Sequence, residues 1–92
     1  MIDEEKVTTV RQYLASEFPV SEIEDWYDSG RKAHCFKIGS AGTCRDVIFS
    51  GEFLLDHGEN EIPELLKSFL LVEHLRECDL TIIVTNEGLS AE

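Results

Sequence analysis

The stretch EIEDWYDSGRKAHCFKIGSAGTCRDVIFS, Glu22 to Ser50, decides how the rest of the chain has to fold. It reads as the runs EIEDWYD (22–28), AHCFKI (33–38) and TCRDVIFS (43–50), separated by Ser-Gly-Arg-Lys and Gly-Ser-Ala-Gly. Aromatic and β-branched residues bounded by glycine-containing turns of this length predict a three-stranded antiparallel meander. With Ser40 and Ala41 at the second tip, Ile38 is expected opposite Thr43, Phe36 opposite Arg45 and His34 opposite Val47. Alternation then puts His34, Phe36, Ile38, Val47 and Phe49 on one face, the expected core side. The other face is mixed, with Ala33, Cys35, Lys37, Cys44, Asp46 and Ile48. With Ser29 and Gly30 at the first tip, Trp26 falls beside Ala33 on the mixed face, where an indole needs cover.

Upstream of the meander, Val7, Val10, Leu14 and Phe18 recur at three and four residues, with Tyr13 flanking, which predicts one apolar stripe on a helix. Asp3 is the expected N-cap, Ile2 and Val7 fall at the staple positions, and Pro19 ends the helix at Phe18. Downstream, Gly58 breaks any strand, Asn60 is the expected N-cap of a further helix, and Pro63 sits in its first turn. Asp56, Glu59, Glu61 and Glu64 then gather at the positive end of the helix dipole, so Asp56-His57-Gly58-Glu59 reads as a helix entrance. Ile62, Leu65, Leu66 and Phe69 form one apolar stripe, whereas Leu71, Leu75 and Cys78 form another on the opposite side. Either a break near Leu70 or a continuous helix with a second apolar side is expected. LTIIVT (80–85) reads as a buried strand ending at Asn86-Glu87-Gly88, and residues 89–92 as a short flexible tail.

The fold class that follows is α+β, in a single domain over residues 1–92. A helix, a three-stranded meander, one or two helices and a final strand make two layers, with the helices on one face of a mixed sheet and the last strand parallel to a neighbour. No element remains to cover the other face.

The 92 residues carry 19 acids against 8 Lys plus Arg, a net charge of −11. Such a surface repels phosphate backbones and anionic lipid, so neither nucleic acid nor membrane is an expected partner. The charge is segregated. Residues 29–51 hold one acid, Asp46, and four bases, Arg31, Lys32, Lys37 and Arg45, a possible basic patch within an acidic body. No apolar run approaches the roughly 20 residues needed to span a bilayer, and the acidic start MIDEEKVTTV is unlike a signal peptide. Cytoplasmic location is therefore expected. Cys35, Cys44 and Cys78, an odd number without CxxC spacing, fit reduced thiols.

The order helix, three strands, helix resembles the double-stranded RNA-binding domain over about residues 3–78. That family grips phosphate with a lysine cluster at the start of its second helix. The corresponding stretch here, ENEIPELLKSF, is acidic with one lysine, Lys67, so the resemblance brings no expectation of RNA binding.

Chemistry has few candidates. His57 between Asp56 and Glu59 has the surroundings of a general base but no nucleophile or oxyanion donor beside it. His34 and Cys35, neighbours on a strand, point to opposite faces and cannot form a dyad. Lys37 beside Cys44 in the expected register would lower that thiol's pKa and suit a thiol sensor. No compact metal-ligand spacing and no phosphate loop is present, and no cofactor is expected. The leading expectation is a non-catalytic protein-interaction domain, most simply a homodimer. Trp26, Cys35 and Ile48 on the bare sheet face, with the surplus stripe of Leu71 and Leu75, would form its interface. The alternatives are an acidic binding module or nucleic-acid mimic for a basic protein, and a small enzyme or thiol sensor using His57 or Cys44.

Overall fold

The computed structural model describes residues 4–40, 43–77 and 80–92. The chain runs α1 (Glu4–Glu17), β1 (Glu22–Asp28), β2 (Ala33–Ser40), β3 (Thr43–Ser50), α2 (Gly51–Asp56), α3 (Ile62–Ser68), α4 (Leu71–Glu77), β4 (Ile82–Thr85) and β5 (Gly88–Ala91). The strands form one five-stranded sheet in the order β1-β2-β3-β4-β5. All pairs are antiparallel except β3 with β4, the parallel pair that the three intervening helices connect. The helices pack on one side of this open sheet. The expected N-cap Asp3, its staple residue Ile2, the tip residue Ala41 and Cys78 lie outside the described residues.

Both hairpins of the meander are displaced by two residues from the expected register. Asp28 pairs with Ala33 and Trp26 with Cys35, so the first turn holds four residues instead of two. The reason lies in Asp28, whose Oδ1 accepts from the backbone N–H of Gly30 at 3.0 Å and of Arg31 at 3.3 Å. This carboxylate-closed turn ends on Lys32, whose φ of 53° lies in the left-handed region. In the second hairpin Ser40 pairs with Thr43, so Phe36 faces Val47 and His34 faces Phe49. A shift of two leaves every side chain on the face where alternation put it.

Lys32 also serves the next element. Its carbonyl, turned by the left-handed backbone, accepts from Gly51 N–H at 2.9 Å. Ser50 caps α2, its Oγ accepting from Phe53 N–H at 3.1 Å. The sequence reading placed no helix here, because GEFLLD is too short for a 3.6-residue period to declare itself. At the other end of the helical segment, the break expected near Leu70 is present. Leu70 has a φ of 59°, its N–H bonds back to Lys67 O, and its carbonyl accepts the His74 N–H that begins α4. The turn rotates α4, so both apolar stripes reach one core: Ile62 and Leu66 from α3, Leu71 and Leu75 from α4, all fully buried.

That core is completed by Val7, Val10 and Leu14 from α1 and by Phe36, Val47, Phe49, Ile82 and Val84 from the sheet. Its aromatic centre is Phe36 edge-on to Phe49, ring centroids 5.5 Å apart, with Phe53 tilted against Phe49 at 6.2 Å. No polar or charged residue is classed as buried among the described residues. Residues 89–91, part of the stretch 89–92 expected as a flexible tail, belong to the edge strand β5. Thr85 pairs with Gly88, whose φ of 117° suits glycine at the turn. Glu92 extends this pairing by exchanging backbone hydrogen bonds with Thr81.

Candidate functional surface

The face of the sheet without helices is built row by row from the strand register. One row reads Trp26, Cys35, Ile48, Ile83 across β1 to β4, and beside it run Glu24, Lys37 and Asp46. Cys35 and Ile48 are nearly buried and, with Ala33 and Ile83, form a small second apolar cluster. Trp26 at the end of the row remains 46% exposed. Beside Cys35 and Ile48 an ion pair joins the first turn to Glu92. Arg31, in the first turn, places Nη2 2.8 Å from Glu92 Oε1, and its Nε lies 3.9 Å from Asp28. Together these residues line a groove of about 230 Å³, bounded by Trp26, Asp28, Arg31, Asp46, Thr81 and Glu92 over a floor of Cys35 and Ile48.

Charge on this face is unbalanced. Glu22, Glu24, Asp28, Asp46 and Glu92 stand against Lys37 and Arg31. Arg31 is engaged by Asp28 and Glu92, whereas Glu24 and Asp46 make no ion pair among the described residues. Burial pushes the Cys35 thiol pKa up, Asp28 adds to the rise and Arg31 opposes it, which disfavours the thiolate.

The cations of residues 29–51 do not make one patch. Arg31 and Lys32 sit in the first turn, Lys37 lies mid-strand between Glu24 and Asp46, and Arg45 is opposite Ile38 on the helix-bearing side. Leu71 and Leu75 are fully buried in the main core and contribute nothing to a surface. Of the residues expected at an interface, the fold therefore brings together Trp26, Cys35 and Ile48. Arg31, Thr81 and Glu92 join them, and no spacing in the sequence announces those three, because Thr81 and Glu92 arrive by the β3–β4 and β4–β5 pairings. The register also separates Lys37 from Cys44: Lys37 faces Asp46, and Cys44 faces Gly39. The exposed Cys44 thus lacks the directly opposed ammonium that the thiol-sensor reading required.

His57 has a structural assignment. Its Nε2 lies 3.1 Å from Asn86 Oδ1, its Nδ1 lies 3.7 Å from Glu61 Oε2, and its ring rests on Phe53 at 4.9 Å. Asn86 in turn donates to Asp56 at 2.7 Å. The network ties the end of α2 to the start of α3 and to the β4–β5 turn, with no nucleophile within it.

On the helix-bearing side, a cleft of about 620 Å³ opens between α1 and β1, lined by Val7, Thr8, Arg11, Asp25, Tyr27 and His34 among others. Arg11 donates from Nε at 2.9 Å and from Nη2 to the same oxygen of Asp25. His34 Nε2 lies 3.7 Å from that oxygen, sealed from solvent and without a hydrogen bond. Desolvation lowers the His34 pKa below its ordinary value, against the opposing pull of Asp25. Arg11 and Asp25 answer each other, and Glu4 is the other carboxylate that lines the cleft.

No group of three or more His, Cys, Asp or Glu among the described residues could hold a metal ion, and no described helix is long and apolar enough to cross a membrane. No family model matches the chain, and no curated protein or solved structure is significantly similar to it.

Proposed function

We propose that the chain is a non-catalytic acidic binding module that docks a basic protein partner on the open face of its sheet. The observation that carries this reading is the juxtaposition of a half-exposed Trp26 with the carboxylates of Glu24 and Asp46, which make no ion pair among the described residues. An apolar anchor rimmed by one sign of charge gives a partner both burial and electrostatic steering. Self-association, the simplest expectation from the sequence, presses two copies of a face with five carboxylates and two cations against each other, within chains of −11 each. Like charges opposed in this way disfavour a second copy and favour a cationic surface.

The test is titration of the isotope-labelled protein with poly-lysine at low and high salt, followed by amide chemical shifts. Expected are shifts centred on Glu24, Trp26 and Asp46 that weaken steeply with salt. Shifts confined to the helix-bearing side would remove the open face from the reading. A salt-resistant dimer in light scattering, dissociated by Trp26→Glu, would replace the basic partner with a second copy.

A further inference from the structure

The groove beside Trp26 is walled in part by a cation of the chain itself. Arg31 reaches from the first turn to Glu92, with Asp28 also near, and lines the same groove as Cys35 and Ile48. We infer that this groove is a recognition site for a lysine or arginine side chain of a partner, and that Arg31 competes with that side chain for the carboxylate of Glu92. The inference rests on the open face being the docking surface, and goes further in naming the pocket and the side chain.

Three features suit a long basic side chain. Cys35 and Ile48 form a nearly buried floor against which an aliphatic stem packs, as the stems of Lys and Arg commonly do. The Trp26 indole forms a wall, and an aromatic face attracts a cation held over it. Asp46 lies at the margin without an ion pair, while Glu92 is shared with Arg31. A volume of about 230 Å³ matches one side chain and not a cofactor. The Arg31–Glu92 pair is about half exposed at both side chains, the setting in which an ion pair is weak and readily exchanged. An incoming cation thus takes Asp46 first and then Glu92, releasing Arg31 to solvent.

Competition gives the inference an unusual sign. Removing a cation from an acidic surface raises its attraction for any basic ligand slightly. Removing Arg31 has the additional effect of freeing Glu92, and Lys32, next in sequence and equal in charge, does not line the groove. The experiment is titration with an unstructured 12-residue peptide of alternating Gly and Lys, read by the Trp26 indole N–H and the amides of Cys35, Asp46, Ile48 and Thr81. Expected is about fivefold weaker binding for Trp26→Leu and for Asp46→Asn. Arg31→Ala is expected to bind about threefold more tightly, and Lys32→Ala to stay near the parent. Glu64→Gln with Glu73→Gln, which removes two acids elsewhere, controls for diffuse attraction and is expected to change affinity by less than about twofold.

If all acid substitutions weaken binding alike, or if Arg31→Ala weakens it, the groove is not the site. Peptide shifts on the open face that ignore Trp26→Leu, Asp46→Asn and Arg31→Ala overturn the pocket while leaving the face as the docking surface. Peptide that shifts no residue of that face overturns both.

Discussion

His34 shows how one residue can be placed correctly and still be in tension with its surroundings. Alternation puts it on the core face, and there it lies, tilted against Phe36 with ring centroids 5.1 Å apart and its Nε2 buried and unbonded. Its burial favours the neutral ring, lowering the pKa from 6.5, with Asp25 opposing and Arg11 reinforcing the shift. The unfolded chain therefore takes up the proton first as pH falls, so the folded state has its full stability above about pH 6.5 and loses it progressively below. His34→Phe removes both the titration and the unsatisfied nitrogen. It is expected to raise stability by about 1 kcal/mol at pH 7 and to flatten the dependence between pH 6.5 and 5. Urea unfolding of both proteins across that range checks it. An equally steep slope in the variant assigns the pH dependence to other groups.

At the scale of elements, the joint between the first turn and α2 leaves no room for a side chain at Gly51. A Cβ added to Gly51 would lie 2.6 Å from the Lys32 carbonyl oxygen, a backbone atom held in place by its bond to Gly51 N–H. Gly51→Ala is therefore expected to destabilise by about 1–3 kcal/mol through displacement of the turn or the helix. Gly39→Ala, whose added Cβ would find its nearest contact at 3.9 Å, serves as the comparison in thermal unfolding. The same joint shows what was legible in the sequence. The faces of the meander were readable because alternation has a period of two and the turn errors were also two. The turn lengths were not, since Asp28's side-chain bonds and the left-handed Lys32 leave no periodic trace. The strand β5, Gly88–Ala91, has a single large apolar residue, Leu89, and is held by pairing with β4 rather than by its own propensity. Leu71 and Leu75 appeared surplus only because a straight helix was the reference; the Leu70 turn brings them back to the core. For the candidate surface, Trp26, Cys35 and Ile48 were found by alternation alone, whereas Arg31 and Glu92 needed the full strand order to meet.

For the whole molecule, net charge sets the balance between compactness and binding. A chain at −11 repels itself more when folded than when extended, and added salt screens that repulsion. Raising sodium chloride from dilute buffer to about 0.3 M, where the Debye length is well under 10 Å, is expected to lift the melting temperature. The expected rise is about 2–4 °C, corresponding to roughly 0.5 kcal/mol in a domain of this size. The same salt is expected to weaken a cationic ligand. Opposite signs for stability and affinity in one salt series separate self-repulsion from docking; a melting point that falls with salt contradicts the repulsive account.

The parallel pairing of β3 with β4 has a consequence during synthesis. Val47 and Ile82 are partners 35 residues apart, so a ribosome adding about 5–20 residues per second makes β3 roughly two to seven seconds before its neighbour. Through that interval the nascent meander presents the backbone edge of Val47, Ile48 and Phe49, three consecutive apolar residues. A chaperone that engages this chain on the ribosome is expected to leave when β4 emerges.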